Sequence, residues 1–125
     1  MSKKAILAIG LDPAFADFSQ SPGLTPELMR HYIDAQIEAV RALGFDAVSC
    51  LVDPDRSPEA SVTEVLAART FDCVMIGAGL RQPPEQLLLF ERILNLVHAL
   101  APGARIAFNT NPADSAEAVQ RWLRP

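Results

Sequence analysis

The residues of this 125-residue chain best able to do chemistry stand just beyond four apolar runs. Asp12 follows AILAIGL, and Asp53 and Asp55 follow AVSCLV. Gly77, Gly79 and Arg81 follow CVMI, while Asn109 and Thr110 follow RIAF. Glycines let a ligand approach the main chain, and a helix opening beside them offers unpaired N–H groups to an anion. Arg81 could hold a carboxylate or phosphate through two parallel hydrogen bonds. Asp12, Gly77, Gly79, Arg81, Asn109 and Thr110 are therefore the candidate ligand-binding residues. They are expected to converge on one crevice, with Asp12 on its opposite wall. The plainer reading is that the glycines only turn the chain and Arg81 faces water. Asp12 and Asp53 each precede a proline, which suits turn formers; as free carboxylates they could act as a general base or hold a cation.

Known catalytic motifs do not complete this set. A dinucleotide fingerprint would need its third glycine at Gln82, and it belongs after the first strand, not the third. The phosphate loop G-x-x-x-x-G-K-[ST] and the nucleophile elbow G-x-S-x-G are both missing from the sequence. His31 lies on the polar side of a helix pattern; His98 shares a helical face with Glu91 and Asn95, which could be half a metal site, but a solvated face is the commoner meaning and no metal site is expected. Cys50 and Cys73 fall inside strand patterns and read as small buried hydrophobes.

Alternating β and α segments must position the candidate residues. Apolar runs at 4–11, 46–52, 73–76 and 105–108 read as parallel strands covered on both faces. Thr25-Pro26-Glu27 opens a helix that carries Met29, Ile33, Ile37 and Val40 on one side, and Gly44-Phe45 closes it with a left-handed cap. A second helix starts at Ser57-Pro58-Glu59 or at a Ser61…Glu64 capping box and runs to Arg69. The third covers 84–100. The last starts near Asp114, with Glu117 as capping partner, and is expected to bury Val119, Trp122 and Leu123. Four such units in strict alternation predict a single α/β domain over 1–125, a three-layer α/β/α sandwich. Its four-stranded parallel sheet should have the order 2-1-3-4.

Composition narrows the function classes. Half the residues are hydrophobic and 21% are charged, which excludes disorder, and a net charge of −4 offers no basic stripe for nucleic acid. No apolar run reaches the roughly 20 residues of a membrane span. The seven-residue run after Lys3-Lys4 ends at Asp12-Pro13 and reads as a strand, not a secretory signal, so a cytoplasmic setting is expected.

FDCVMIG, the turn and helix after it, ALAPGARIAFNT and the opening AILAIGLDP together resemble a response-regulator receiver domain, one of the flavodoxin-like folds. The resemblance covers most of the chain at the level of pattern. It implies a shared scaffold while arguing against the family's phosphotransfer. The acceptor aspartate would fall on Gly77, and the paired acids would fall on Gly10 and Leu11, leaving only Asp12 one place later. Thr110 matches the family's hydroxyl position, and the fifth strand with its lysine has no counterpart.

The expected function is a non-catalytic regulatory or binding domain, pseudo-receiver-like, that acts through a protein partner or a small anionic ligand. Two alternatives stand beside it: a small enzyme acting on a phosphorylated or carboxylated metabolite, and a nucleotide-binding domain. No cofactor is expected. The rim lacks a histidine, which weighs against proton-transfer catalysis. A homodimer through helix 84–100 and the 105–108 strand edge is also expected. Leu87, Leu89, Phe90, Ile93, Leu94, Leu96, Val97 and Leu100 cover about half the helix circumference, wider than the ~100° stripe one sheet face needs.

Overall fold

A computed structural model describes residues 2–125. Strand β1 (Ala5–Leu11) is followed by helix α1 (Pro26–Ala42), β2 (Asp46–Val52), α2 (Pro58–Ala68) and β3 (Cys73–Ile76). A single helical turn, α3 (Ala78–Arg81), precedes α4 (Leu87–Leu100), β4 (Arg105–Phe108) and α5 (Ser115–Gln120). The four strands form one all-parallel sheet in the order β2-β1-β3-β4, and the expected architecture is the observed one.

Two separate cores sandwich the sheet. On one face, Leu7, Ile9, Leu11, Val74 and Ile76 pack against α2, α3 and α4 through Val62, Leu66, Leu80, Leu89, Ile93 and Val97. On the other, Ile6, Ala8, Ala47, Cys73, Met75 and Ala107 meet α1 and α5 through Ile37, Val40, Ala118 and Val119. Period-2 alternation along each strand sends odd-numbered β1 residues to the first core and even-numbered ones to the second.

Local signals explain most boundaries. The Thr25 hydroxyl accepts from the Leu28 N–H, Pro26 takes the first helical position and Glu27 the first turn. Gly44 closes α1 at φ +105°, where any side chain would be strained, and Phe45 beyond it is buried. Helix α2 takes the earlier of its two expected starts, with Ser57 left-handed at φ 48° and making no side-chain cap.

Three expectations change. The chain turn expected at Gly77–Gly79 is the start of a single helical turn over 78–81, with neither glycine at positive φ. The capping box at the last helix is Asn111–Asp114, which starts a short 3-10 turn (Pro112–Asp114), rather than Asp114–Glu117. Trp122 is 53% exposed, because α5 ends at Gln120 and its indole lies past the last buried residue, Val119.

Candidate ligand-binding site

The sheet's two faces differ in side-chain size, and that difference makes the site. Beneath α2 and α4 the strands present Leu, Ile and Val. Beneath α1, beside the larger Ile6, Leu51 and Met75, they present Ala8 and Gly10 from β1, Ala47 and Ser49 from β2, and Ala107 from β4. Helix α1 carries Met29, Ile33, Ile37 and Val40 in one stripe, yet only Ile37 and Val40 are buried. Met29 and Ile33 face small residues across a gap. The gap is a crevice of about 660 Å³, within the usual range for small-molecule sites.

Phe15, Phe18 and Leu24, from the long β1–α1 loop, wall one side of it. Gly77, Gly79 and Pro83-Pro84 wall another, and Asn109, Thr110 and Asn111 close the end beyond β4. Any side chain at Gly77 would begin 3.4 Å from the Ile9 carbonyl, so glycine there keeps the β1–β3 rim open. The lining is mainly apolar. Its neutral polar groups include Gln36, Ser49 and Gln82, and its only ionisable residues, among those described, are Asp17 and Glu85.

Asn109 braces the rim. Buried just past β4, its Oδ1 accepts from the Ala78 N–H at 2.9 Å, and its Nδ2 donates to Ser115 Oγ at 3.1 Å. Ser115 Oγ in turn donates to the Pro112 carbonyl at 2.7 Å. Through Asn109, 31 residues along the chain from Ala78, the start of α3 is tied to the start of α5. Thr110 is held by Asp114, which accepts from its hydroxyl and from its N–H at 2.9 Å. Partial burial pushes the Asp114 pKa up. The hydrogen bonds from Thr110 and from the Asn111 N–H outweigh that, and the net value lies below the usual carboxylate range.

Of the six candidate residues, four line the crevice: Gly77, Gly79, Asn109 and Thr110. Arg81 and Asp12 do not. Arg81 is not the exposed cation that was expected. Its Nη1 donates to the Ile76 carbonyl at 3.1 Å and the Asn109 carbonyl at 2.7 Å, and its guanidinium lies 4.7 Å over the Phe108 ring. Phe108 meets Phe90 of α4 edge-on, so Arg81 stands on the α4 side of the sheet while the crevice opens on the α1 side. Burial lowers the Arg81 pKa, opposed by the Asp114 carboxylate. Asp12 is held by Arg30 and caps the following turn by accepting from the Ala14 N–H at 3.0 Å. Asp53 likewise accepts from the Asp55 N–H and faces Arg56.

The crevice also contains residues that motif reading passed over, notably Ala8, Gly10, Ser49, Met29 and Ile33. Their signal was present: Ala8 and Gly10 of β1 and Ala47 and Ser49 of β2 are small residues two apart, opposite an apolar helical stripe. No family model matches the chain, and comparisons with curated proteins and with solved structures find no match either.

Proposed function

We propose that this protein is a non-catalytic binding module that holds a small, largely apolar molecule between α1 and the small-residue face of its sheet. One observation carries this reading. The apolar stripe of α1 continues through Met29 and Ile33 over a floor of Ala8, Gly10 and Ser49 that leaves room for a ligand. An apolar ligand would complete the burial that these two side chains lack.

The geometry does not favour the small anion expected from Gly77, Gly79 and Arg81. The Ala78 N–H is already taken by Asn109, and Arg81 by main-chain carbonyls. The helix starts facing the rim also carry their own acids: Glu27, Glu59, Glu85 and Asp114. These carboxylates offset the positive helix ends that would otherwise draw an anion. Enzymatic proton transfer has as little support. The rim acids Asp12 and Asp53 are paired with arginines, and both histidines are exposed on helices away from the crevice lining. On this reading the receiver-like pattern is a scaffold without phosphotransfer. A cytoplasmic setting accords with Cys50 and Cys73, both buried and unpaired. Self-association belongs to the same reading: β4 is an edge strand, its Phe108 is exposed and meets Phe90 of α4, and Leu87 of α4 is exposed as well, so a second copy would have apolar surface to cover.

Native mass spectrometry of freshly purified protein tests the binding reading. A small molecule should accompany the folded chain and leave on denaturation. Ser49→Leu, which extends a side chain from the floor into the crevice, should abolish that occupancy. It should shift the melting temperature by less than about 5 °C, equivalent to about 1 kcal/mol in a chain of this size. A wild type that carries nothing, and whose melting is unchanged across a library of small apolar fragments, would overturn the proposal.

A further inference from the structure

The crevice is apolar inside and singly signed at its edge. Its lining, among the described residues, includes no lysine, arginine or histidine, and its two carboxylates are Asp17 and Glu85. They come from two different segments, Asp17 from the β1–α1 loop and Glu85 from the turn (Pro84–Gln86) that precedes α4. Both side chains are exposed.

These two also differ from the acids that the fold pairs with arginine. Asp12, Glu38, Asp46, Asp53 and Glu59 each face an arginine. Neither Asp17 nor Glu85 has a cationic partner among the described residues. Asp17 accepts from the Ser19 N–H at 2.9 Å, and that hydrogen bond lowers its pKa, so it stays ionised in neutral solution. The same lining holds Phe15, Phe18, Leu24 and Pro83, which supply aromatic and aliphatic surface but no counter-charge.

We infer that the ligand is a primary amine on an apolar or aromatic body, its hydrocarbon part lodged under Met29 and Ile33 and its ammonium group facing Asp17 and Glu85. This deepens the binding reading above and rests on it. An ammonium at the mouth loses little hydration and gains two opposite charges, while a carboxylate there would meet two like charges. The neutral polar groups of the lining, Gln36 and Ser49 among them, permit an uncharged body with one or two hydrogen-bonding atoms.

Three probes of one shape test the charge separately from the cavity: 2-phenylethylamine, 2-phenylethanol and 3-phenylpropionate, titrated into the intact protein by calorimetry. The amine should bind about fivefold more tightly than the alcohol, as for exposed charge pairs, and the carboxylate should bind most weakly. In the Asp17→Asn/Glu85→Gln double variant the amine and alcohol should converge, with alcohol binding unchanged. Raised salt should weaken amine binding alone. If the alcohol or the carboxylate binds the wild type as well as the amine does, the amine inference is overturned and the apolar crevice stands. If none of the three binds, the crevice reading falls with it.

Discussion

Asn109 does at the residue scale what the glycines and Arg81 were expected to do: it organises the rim. Its amide bridges α3 and α5, and its carbonyl holds Arg81. Removing the side chain would leave the Ala78 N–H and Ser115 Oγ without these partners in a nearly dry place, at a cost of about 2 kcal/mol. Asn109→Ala should therefore lower unfolding stability by that amount in urea, and it should loosen the rim enough to reduce ligand occupancy. Gly77 carries the opposite expectation, silence. With no acid at that position, incubation with acetyl phosphate and Mg²⁺ should leave the mass unchanged, and a stoichiometric, acid-labile phosphoryl adduct would refute it. The buried cysteines are equally quiet. Burial, and secondarily the Asp72 carboxylate, push the Cys73 thiol up to about 11.

Helix α5 is only six residues long, and a segment so short depends on its caps. Asp114 makes no side-chain cap to α5 itself but braces the 3-10 turn that leads into it (Pro112–Asp114), accepting from the Thr110 hydroxyl and from the N–H groups of Thr110 and Asn111. Its carboxyl pKa is held below the ordinary value, so its contribution is fully present above the unfolded pKa of about 3.9. That contribution is lost as pH falls through the lower native value. Asp114→Ala should cost about 1 kcal/mol at neutral pH, in line with other helix caps. The gap between variant and wild type should narrow below about pH 4 in urea titrations run across the acid range. A gap that held constant to low pH would assign the effect to packing instead. Helix α4 shows a different dependence, on partners across its width. Leu89, Ile93 and Val97 face the sheet and are buried, whereas Leu87 and Leu88 are 55% and 59% exposed.

For the molecule as a whole, α5 pairs with α1 on the far side of the sheet and leaves the α4–β4 border uncovered. The proposed dimer would close that border around Leu87 and Phe108. Leu89 is the wrong residue with which to test it, since at 9% exposure its replacement would strike the core. Leu87→Glu should instead convert a dimer into a folded monomer in sedimentation velocity, with the melting temperature of the isolated chain little changed. A wild type that sediments as a monomer at high micromolar concentration would exclude the interface. The two-faced sheet belongs to this scale too, one face filled by branched side chains and the other left partly empty.

Strand limits at 46–52, 73–76 and 105–108, the Thr25 cap, the Gly44 cap and the strand order were all legible in the chain, because each rests on neighbours in sequence or on a period of two or 3.6. Even the small-residue face could be read in Ala8, Gly10 and Ser49 once their common side was assigned. What Arg81 and Asp12 would touch was not legible. Arg81 is drawn to carbonyls at Ile76 and Asn109, and Asp12 to Arg30 eighteen residues away. A charged side chain pairs with whatever oppositely charged or hydrogen-bonding group the fold places within reach, and that distance exists only once the sheet has formed. The crevice follows the same rule. Local pattern placed Met29 and Ile33 on the apolar side of α1, but only the crossing of α1 over Ala8 and Gly10 decided that the space beneath them would stay open.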